Sequence, residues 1–270
     1  MGAIDVWSQM TTERMAESPW LKTLRRWTGQ TDAPLIPTVE MTLAAMDEAD
    51  VDISLLSAWC GPQGWLISND EVRAQIEGAP DRLRGLASVD LTNPMDAVRE
   101  LRDYVDGEKF VGVRAVPWLW DLPPNDRRYY PIYGACIDLG VPFCTQIGHT
   151  GPLLRSETGR LIPYLEDVLL DFPELVVVGG HVGFPWINEL VSLTVKFPNF
   201  HVDTSAYAVH RLPLDFVEYM KGLGGDRVMF GTNWPMLSPA RCLNKLDEIG
   251  LSVEQSEAFL QGNARRVFNL

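Results

Sequence analysis

Cysteine is scarce in this sequence, with four in 270 residues and no C-x-x-C pair. That spacing excludes a thiol redox motif, and Cys60, Cys136, Cys144 and Cys242 read as buried free thiols of a reducing compartment. No apolar run approaches the ~18 residues a membrane-spanning helix needs. The amino terminus runs straight into strand-like residues without a charged leader or an apolar signal core, so the expected location is the cytoplasm. Basic residues are also few: 23 Lys and Arg against 36 Asp and Glu leave a net charge of -13. With no basic stretch, neither nucleic acid nor an anionic membrane is an expected partner. An anionic small molecule is not excluded, because one local arginine can outweigh the mean field. Low-complexity tracts and domain boundaries are absent too.

What is present is an ordinary globular composition, 46% hydrophobic and 22% charged, which supports one packed domain over residues 1–270. Only four histidines occur, and two of them stand at matching places. Gly148-His149 and Gly180-His181 each follow a short β-type apolar run, with a helical segment between. Two strands that deliver a histidine at the carboxyl edge are how a parallel α/β protein builds a site. One such histidine would merely close a strand; the pair points to a site. His201, within a predicted strand, and His210, in the loop after it, read as structural.

Alternation runs the length of the chain. Strands are expected at 3–7, 51–59, 84–89, 110–116, near 141–147 and 176–181, and at 200–204 and 227–231. Helices are expected between them at 38–49, 69–77, 94–105, 128–139, 161–171, 186–196 and 214–221, then at 239–249 and 254–267. Eight near-continuous apolar strands, each followed by a helix, predict a single (β/α)8 TIM barrel. Residues 8–37 form a long excursion after the first strand, rich in Trp, Arg, Thr and Pro. The spacing of Trp20, Leu21, Leu24 and Trp27 suggests a helix there, in a segment placed to act as a cap or a subunit contact.

Arg114 sits inside an otherwise apolar strand, so its guanidinium either pairs with an acid such as Asp90 or turns into the barrel mouth to hold a substrate carboxylate. Trp7, Trp59, Trp118, Trp120 and Trp234 fall near predicted strand ends, where they would wall an apolar pocket or pack under loops. Asp203 and Asp90 end strands, as site residues or as caps.

Taken in order, Ile4-Asp5-Val6, the stretch around His149, Gly179-Gly180-His181, Val202-Asp203-Thr204-Ser205, Phe230-Gly231-Thr232-Asn233-Trp234-Pro235 and Gly262-Asn263-Ala264-Arg265-Arg266-Val267 resemble the amidohydrolase-related (decarboxylase-like) family of the amidohydrolase superfamily. The family includes metal-dependent decarboxylases and hydrolases of small carboxylic acids. The resemblance implies that His149 matches a strand-five metal ligand and His181 a strand-six catalytic histidine. It also implies that the His-x-His or Glu-x-His metal pair of strand one is replaced here by Trp7 and Gln9, and the strand-eight Asp by Asn233. Tryptophan cannot ligate a metal, and neutral amides are weak donors and no bases near neutral pH. A divalent metal at His149 stays open, but the family's tight zinc site is not expected, since a catalytic zinc needs about three good protein ligands.

The expected activity is hydrolysis or decarboxylation of a small organic acid at an atypical, metal-poor site. His181 and Asn233 are its catalytic candidates; Arg114, Trp7, Gln9, Trp118 and Trp234 are its substrate-binding ones. The alternative is a degenerate subunit that pairs with and supports a metal-bearing homologue, even in an oxygenase-type complex. The chain is accordingly expected to form a homo-oligomer or a hetero-oligomer with a homologous subunit.

Overall fold

A computed structural model describes residues 2–29 and 34–270; the expected excursion at 8–37 therefore lies partly outside the described residues. Among the described residues ten strands follow one another: β1 Ala3–Ser8, β2 Val51–Ser57, β3 Trp59–Gly61, β4 Gly64–Ile67, β5 Leu83–Ala87, β6 Phe110–Ala115, β7 Phe143–Gln146, β8 Val177–Gly180, β9 Phe200–Asp203 and β10 Val228–Met229. Eight of them pair in parallel in the order β1-β2-β5-β6-β7-β8-β9-β10. The ends of this sheet meet: the Val6 amide donates to Phe230 O at 3.0 Å and the Asn233 amide to Trp7 O at 2.7 Å. A parallel bridge between Ser8 and Trp234 continues the seam. The expected (β/α)8 barrel is the observed fold.

Asp5 is the clasp of that seam. Its Oδ1 accepts the amides of Trp7 (3.1 Å) and Thr232 (2.9 Å), and its Oδ2 accepts the Thr232 hydroxyl (2.6 Å). Inside the barrel, Ile4, Val6, Leu55, Leu86, Val111, Cys144, Val178 and Met229 pack with Ala264 and Phe268 of the last helix. That helix, Asn263–Phe268, is anchored by the Asn263 amide group to Gly225 O (3.0 Å) and Val228 O (2.8 Å), at the amino-terminal end of β10. It closes the bottom, leaving the carboxyl-terminal rim for the site. On β9, His201 takes the register position opposite Val178, and it is buried within the strand as a packing residue.

Helices start where local chemistry favours them. Thr38 caps Val39–Asp47 by accepting the Met41 amide, Ser68 and Glu71 form a reciprocal capping box on Asn69–Gly78, and Pro94 opens Pro94–Tyr104. Three departures from the sequence expectation are instructive. The apolar stretch at 51–59 does not run on as one strand but breaks after Ser57 into the antiparallel hairpin β3-β4. The helix expected at 239–249 ends at Leu243, because Lys245 adopts φ 66°, and resumes as a 3-10 turn over Leu246–Ile249. The helix expected at 254–267 is broken by a π turn at Ala258–Gly262 between Val253–Glu257 and Asn263–Phe268. All four cysteines are free and buried, and no helix of the described residues is long and apolar enough to cross a membrane.

Candidate active site

A cavity of about 690 Å³ opens at the carboxyl-terminal rim, within the usual range for small-molecule sites. Its composition changes around the barrel. The excursion after β1, strand β3 and the segment after β6 supply Trp20, Trp59 and Trp118, which touch one another with ring centroids 5.1–6.3 Å apart. The loops after β7 and β8 supply His149 and His181, and those after β9 and β10 supply His210, Arg211, Asn233, Arg241 and Asn244. The last two loops are tied by a 3.2 Å hydrogen bond between His210 Nδ1 and Asn244 O. The cavity is thus aromatic on one side, cationic on the other and imidazole-lined between.

Both imidazoles have a hydrogen-bonded Nδ1. His149 Nδ1 stands 3.3 Å from the Phe184 carbonyl; a carbonyl only accepts, so Nδ1 is the donor there. His181 Nδ1 lies 2.6 Å from the Ser205 hydroxyl. The His181 backbone is in the left-handed region, φ 74°, as is the next residue, Val182, at φ 52°. For a β-branched residue this costs on the order of 1–3 kcal/mol, the kind of strain that clusters at functional sites. His181 is pushed down to about 3 by burial, then by Arg114 and His149, so its imidazole is neutral.

Below the cavity, Trp7 is fully buried and packs its ring against His181 at 4.8 Å between centroids. Gly180 permits this: a Cβ there would lie 2.3 Å from the Trp7 ring. The Arg114 guanidinium lies 3.7 Å from the Trp7 ring centre and donates from Nη2 to Val6 O at 2.9 Å. Its Nε and Nη1 have no partner among the described residues. Burial lowers Arg114 to about 10 and raises Asp5 to about 7 and Asp203 to about 6.

These positions sort the residues expected from sequence. His149, His181, Gln9, Trp118 and Asn233 all line the cavity. Trp7 and Arg114 lie together in the barrel interior rather than on the wall, and Trp234 turns its Nε1 to the Thr42 hydroxyl, 3.2 Å away. Arg114 does not pair with Asp90, whose Oδ1 caps a turn by accepting the Thr92 amide and hydroxyl. Gln9 Nε2 donates to Asn233 Oδ1 (3.1 Å) and Trp234 O (2.5 Å). This leaves Gln9 Oε1 as a buried acceptor without a partner and Asn233 Nδ2 as a donor for a ligand. Trp118 Nε1 donates to Gln146 Oε1 at 2.6 Å. Sequence reasoning missed Arg211, Arg241 and Ser205 and read His210, which lines the cavity, as structural; of the three missed, only Ser205 left a signal, in the Asp203-Thr204-Ser205 strand end.

The family resemblance sets Trp7, Gln9 and Asn233 where metal ligands are expected, and none of the three is a strong donor. Among the described residues no three His, Cys, Asp or Glu side chains converge. Two imidazoles alone fall short of a tight zinc site.

A closed parallel barrel with paired strand-end imidazoles at its carboxyl-terminal rim defines a TIM-barrel protein of the amidohydrolase type. The sequence profile of the Amidohydrolase family matches residues 66–270, and the chain belongs to that family, in its decarboxylase-like branch. It is 23% identical to a gamma-resorcylate decarboxylase of Polaromonas sp. (strain JS666 / ATCC BAA-500) over 252 residues, 75% of each chain. An uncharacterized TIM-barrel protein from Bordetella bronchiseptica superimposes with a TM-score of 0.84 at 23% identity, covering 100% of this chain and 99% of the other. A 2,6-dihydroxybenzoate decarboxylase from Rhizobium superimposes with a TM-score of 0.75 at 20% identity over the same shares.

Proposed function

We propose that this protein is a decarboxylase of a small hydroxylated aromatic acid, working by proton transfer through His181 without a tightly held zinc. The observation that carries the reading is the neutral His181 imidazole on a cavity walled by Trp20, Trp59 and Trp118. The relatives named for resorcylate and dihydroxybenzoate decarboxylation support the substrate class. An aromatic ring suits the tryptophan side. Arg211 and Arg241 have no ion-pair partner among the described residues, and they are the cations that can hold a carboxylate in place of Arg114.

In this reading His181 Nε2 takes the proton of a ring hydroxyl and returns it to the ring carbon as the bond to the carboxylate breaks. The bonding pair stays on that carbon, carbon dioxide leaves, and the phenolate remains. His149 Nε2, Gln9 Oε1 and Asn233 Nδ2 orient the hydroxyl substituents. The test is a panel of hydroxybenzoates and of aryl esters or lactones, with carbon dioxide and acid release recorded for wild type and His181→Gln. Carbon dioxide release that His181→Gln abolishes supports the reading; ester hydrolysis alone moves the assignment to hydrolysis, and no turnover of any member sinks it.

A second reading, a subunit that supports a metal-bearing homologue, draws on Trp7, Gln9 and Asn233 at the ligand positions and on exposed Leu153 and Leu154 beside the cavity-lining Gly151 and Pro152. Co-purification of a homologous chain from the native source supports it; an active homo-oligomer counts against it.

A further inference from the structure

Histidine acts as a base or as a hydrogen-bond donor according to which ring nitrogen carries its proton, and that is set by whatever the other nitrogen binds. For His149 a carbonyl decides. For His181 the partner is a hydroxyl, which can donate or accept, so the decision passes to whatever else the Ser205 hydroxyl can reach.

That second partner is Asp203, at the end of β9. Its Oδ1 accepts the Ser205 amide at 2.8 Å, and the Ser205 hydroxyl acts on the same carboxylate. Asp203 is completely buried, the His181 amide also acts on its carboxylate, and its Oδ2 makes no well-formed hydrogen bond among the described residues. A buried carboxylate oxygen without a well-formed hydrogen bond is costly. The one hydroxyl hydrogen of Ser205 therefore has two competing acceptors, a neutral imidazole nitrogen and an anionic carboxylate. Hydrogen bonds to an ionised acceptor are about twice as strong, so the hydrogen goes to Asp203. The Ser205 oxygen is then left to accept, and it can accept only from a protonated Nδ1.

We propose that Asp203 is a positioning residue that acts through Ser205 to hold the His181 proton on Nδ1 and present a bare Nε2 to the cavity. Asp203 touches no ligand in this arrangement. It fixes the tautomer that makes His181 a proton acceptor, as the proposed decarboxylation requires. The inference rests on that reading only for its use; the tautomer is a property of the free protein.

The experiment records 15N correlations of the histidine rings in protein labelled at histidine, without substrate, with the His181 signals identified by their loss in His181→Gln. Wild type is expected to show a protonated Nδ1 and an unprotonated Nε2. In Asp203→Asn the side-chain amide can donate to the Ser205 oxygen, which turns the hydroxyl hydrogen toward His181, and the proton is expected to move to Nε2. Ser205→Ala should leave a mixture of tautomers, and Ser205→Thr, which keeps the hydroxyl, should restore the wild-type pattern. A wild-type His181 protonated on Nε2 overturns the proposal even if no variant folds, as does an unchanged tautomer in folded Asp203→Asn. A failed turnover panel beside the expected tautomers would defeat the decarboxylase reading and leave this one standing.

Discussion

The guanidinium of Arg114 lies 3.7 Å from the centre of the Trp7 ring, and the same ring meets the imidazole of His181 at 4.8 Å. One tryptophan thus separates a buried cation from the candidate base. Arg114 is also the second-largest influence keeping His181 unprotonated, after burial. The indole fills space that would otherwise be a hole between the guanidinium and the neutral imidazole.

Removing that ring should be costly. Trp7→Ala deletes a fully buried indole and the partner of a desolvated guanidinium, for about 3–5 kcal/mol from cavity formation and on the order of 1–2 more from the lost cation–π contact. Urea unfolding followed by circular dichroism reads the loss; a change under 1 kcal/mol would contradict the packing described.

Asp5 gives stability a pH dependence of definite sign. Burial raises its carboxyl from 3.8 to about 7, so between those values the folded protein binds a proton that the unfolded chain releases. Its contribution is present below pH 4 and lost as pH rises to about 7, with a slope of up to roughly 1.4 kcal/mol per pH unit. His181 and His201, held down to about 3 and about 4, act oppositely: their contribution is present above pH 6.5 and lost as pH falls toward those values. Asp5→Asn should therefore gain stability relative to wild type on going from pH 4 to pH 7. Denaturation midpoints at both pH values check the direction.

The cationic side of the cavity predicts a selective loss of affinity. Arg211→Gln and Arg241→Gln should each weaken binding of an aromatic carboxylate by about tenfold, and more at low salt, while binding of the matching neutral amide is unchanged. Quenching of tryptophan fluorescence by the ligand measures both. Equal weakening of acid and amide would place the carboxylate elsewhere.

Architecture was legible because eight apolar strands separated by amphipathic helices leave few alternatives, and the two histidines were legible because each follows a glycine that ends a strand. Arg114 was legible only as an anomaly. A charged residue in an apolar strand signals either a pairing or a mouth position, and the contact it makes, with a tryptophan more than 100 residues away, has no local signature. Arg211 and Arg241 were not legible at all, and His210 was legible only as a loop residue, since exposed polar residues on loops look like any solvated surface until the fold brings the β9 and β10 loops together. The β3-β4 hairpin hid for a different reason: the apolar run through Trp59 carries no break before Pro62, so its turn could not be separated from the strand before it.

The most direct test of the account is decarboxylation of a hydroxybenzoate substrate by chelator-treated protein, with metal content measured on the same sample. The account predicts that carbon dioxide release continues at the untreated rate with far less than one equivalent of metal per chain, and stops in His181→Gln. A rate that falls on chelation and returns with one bound equivalent of zinc or manganese would contradict it.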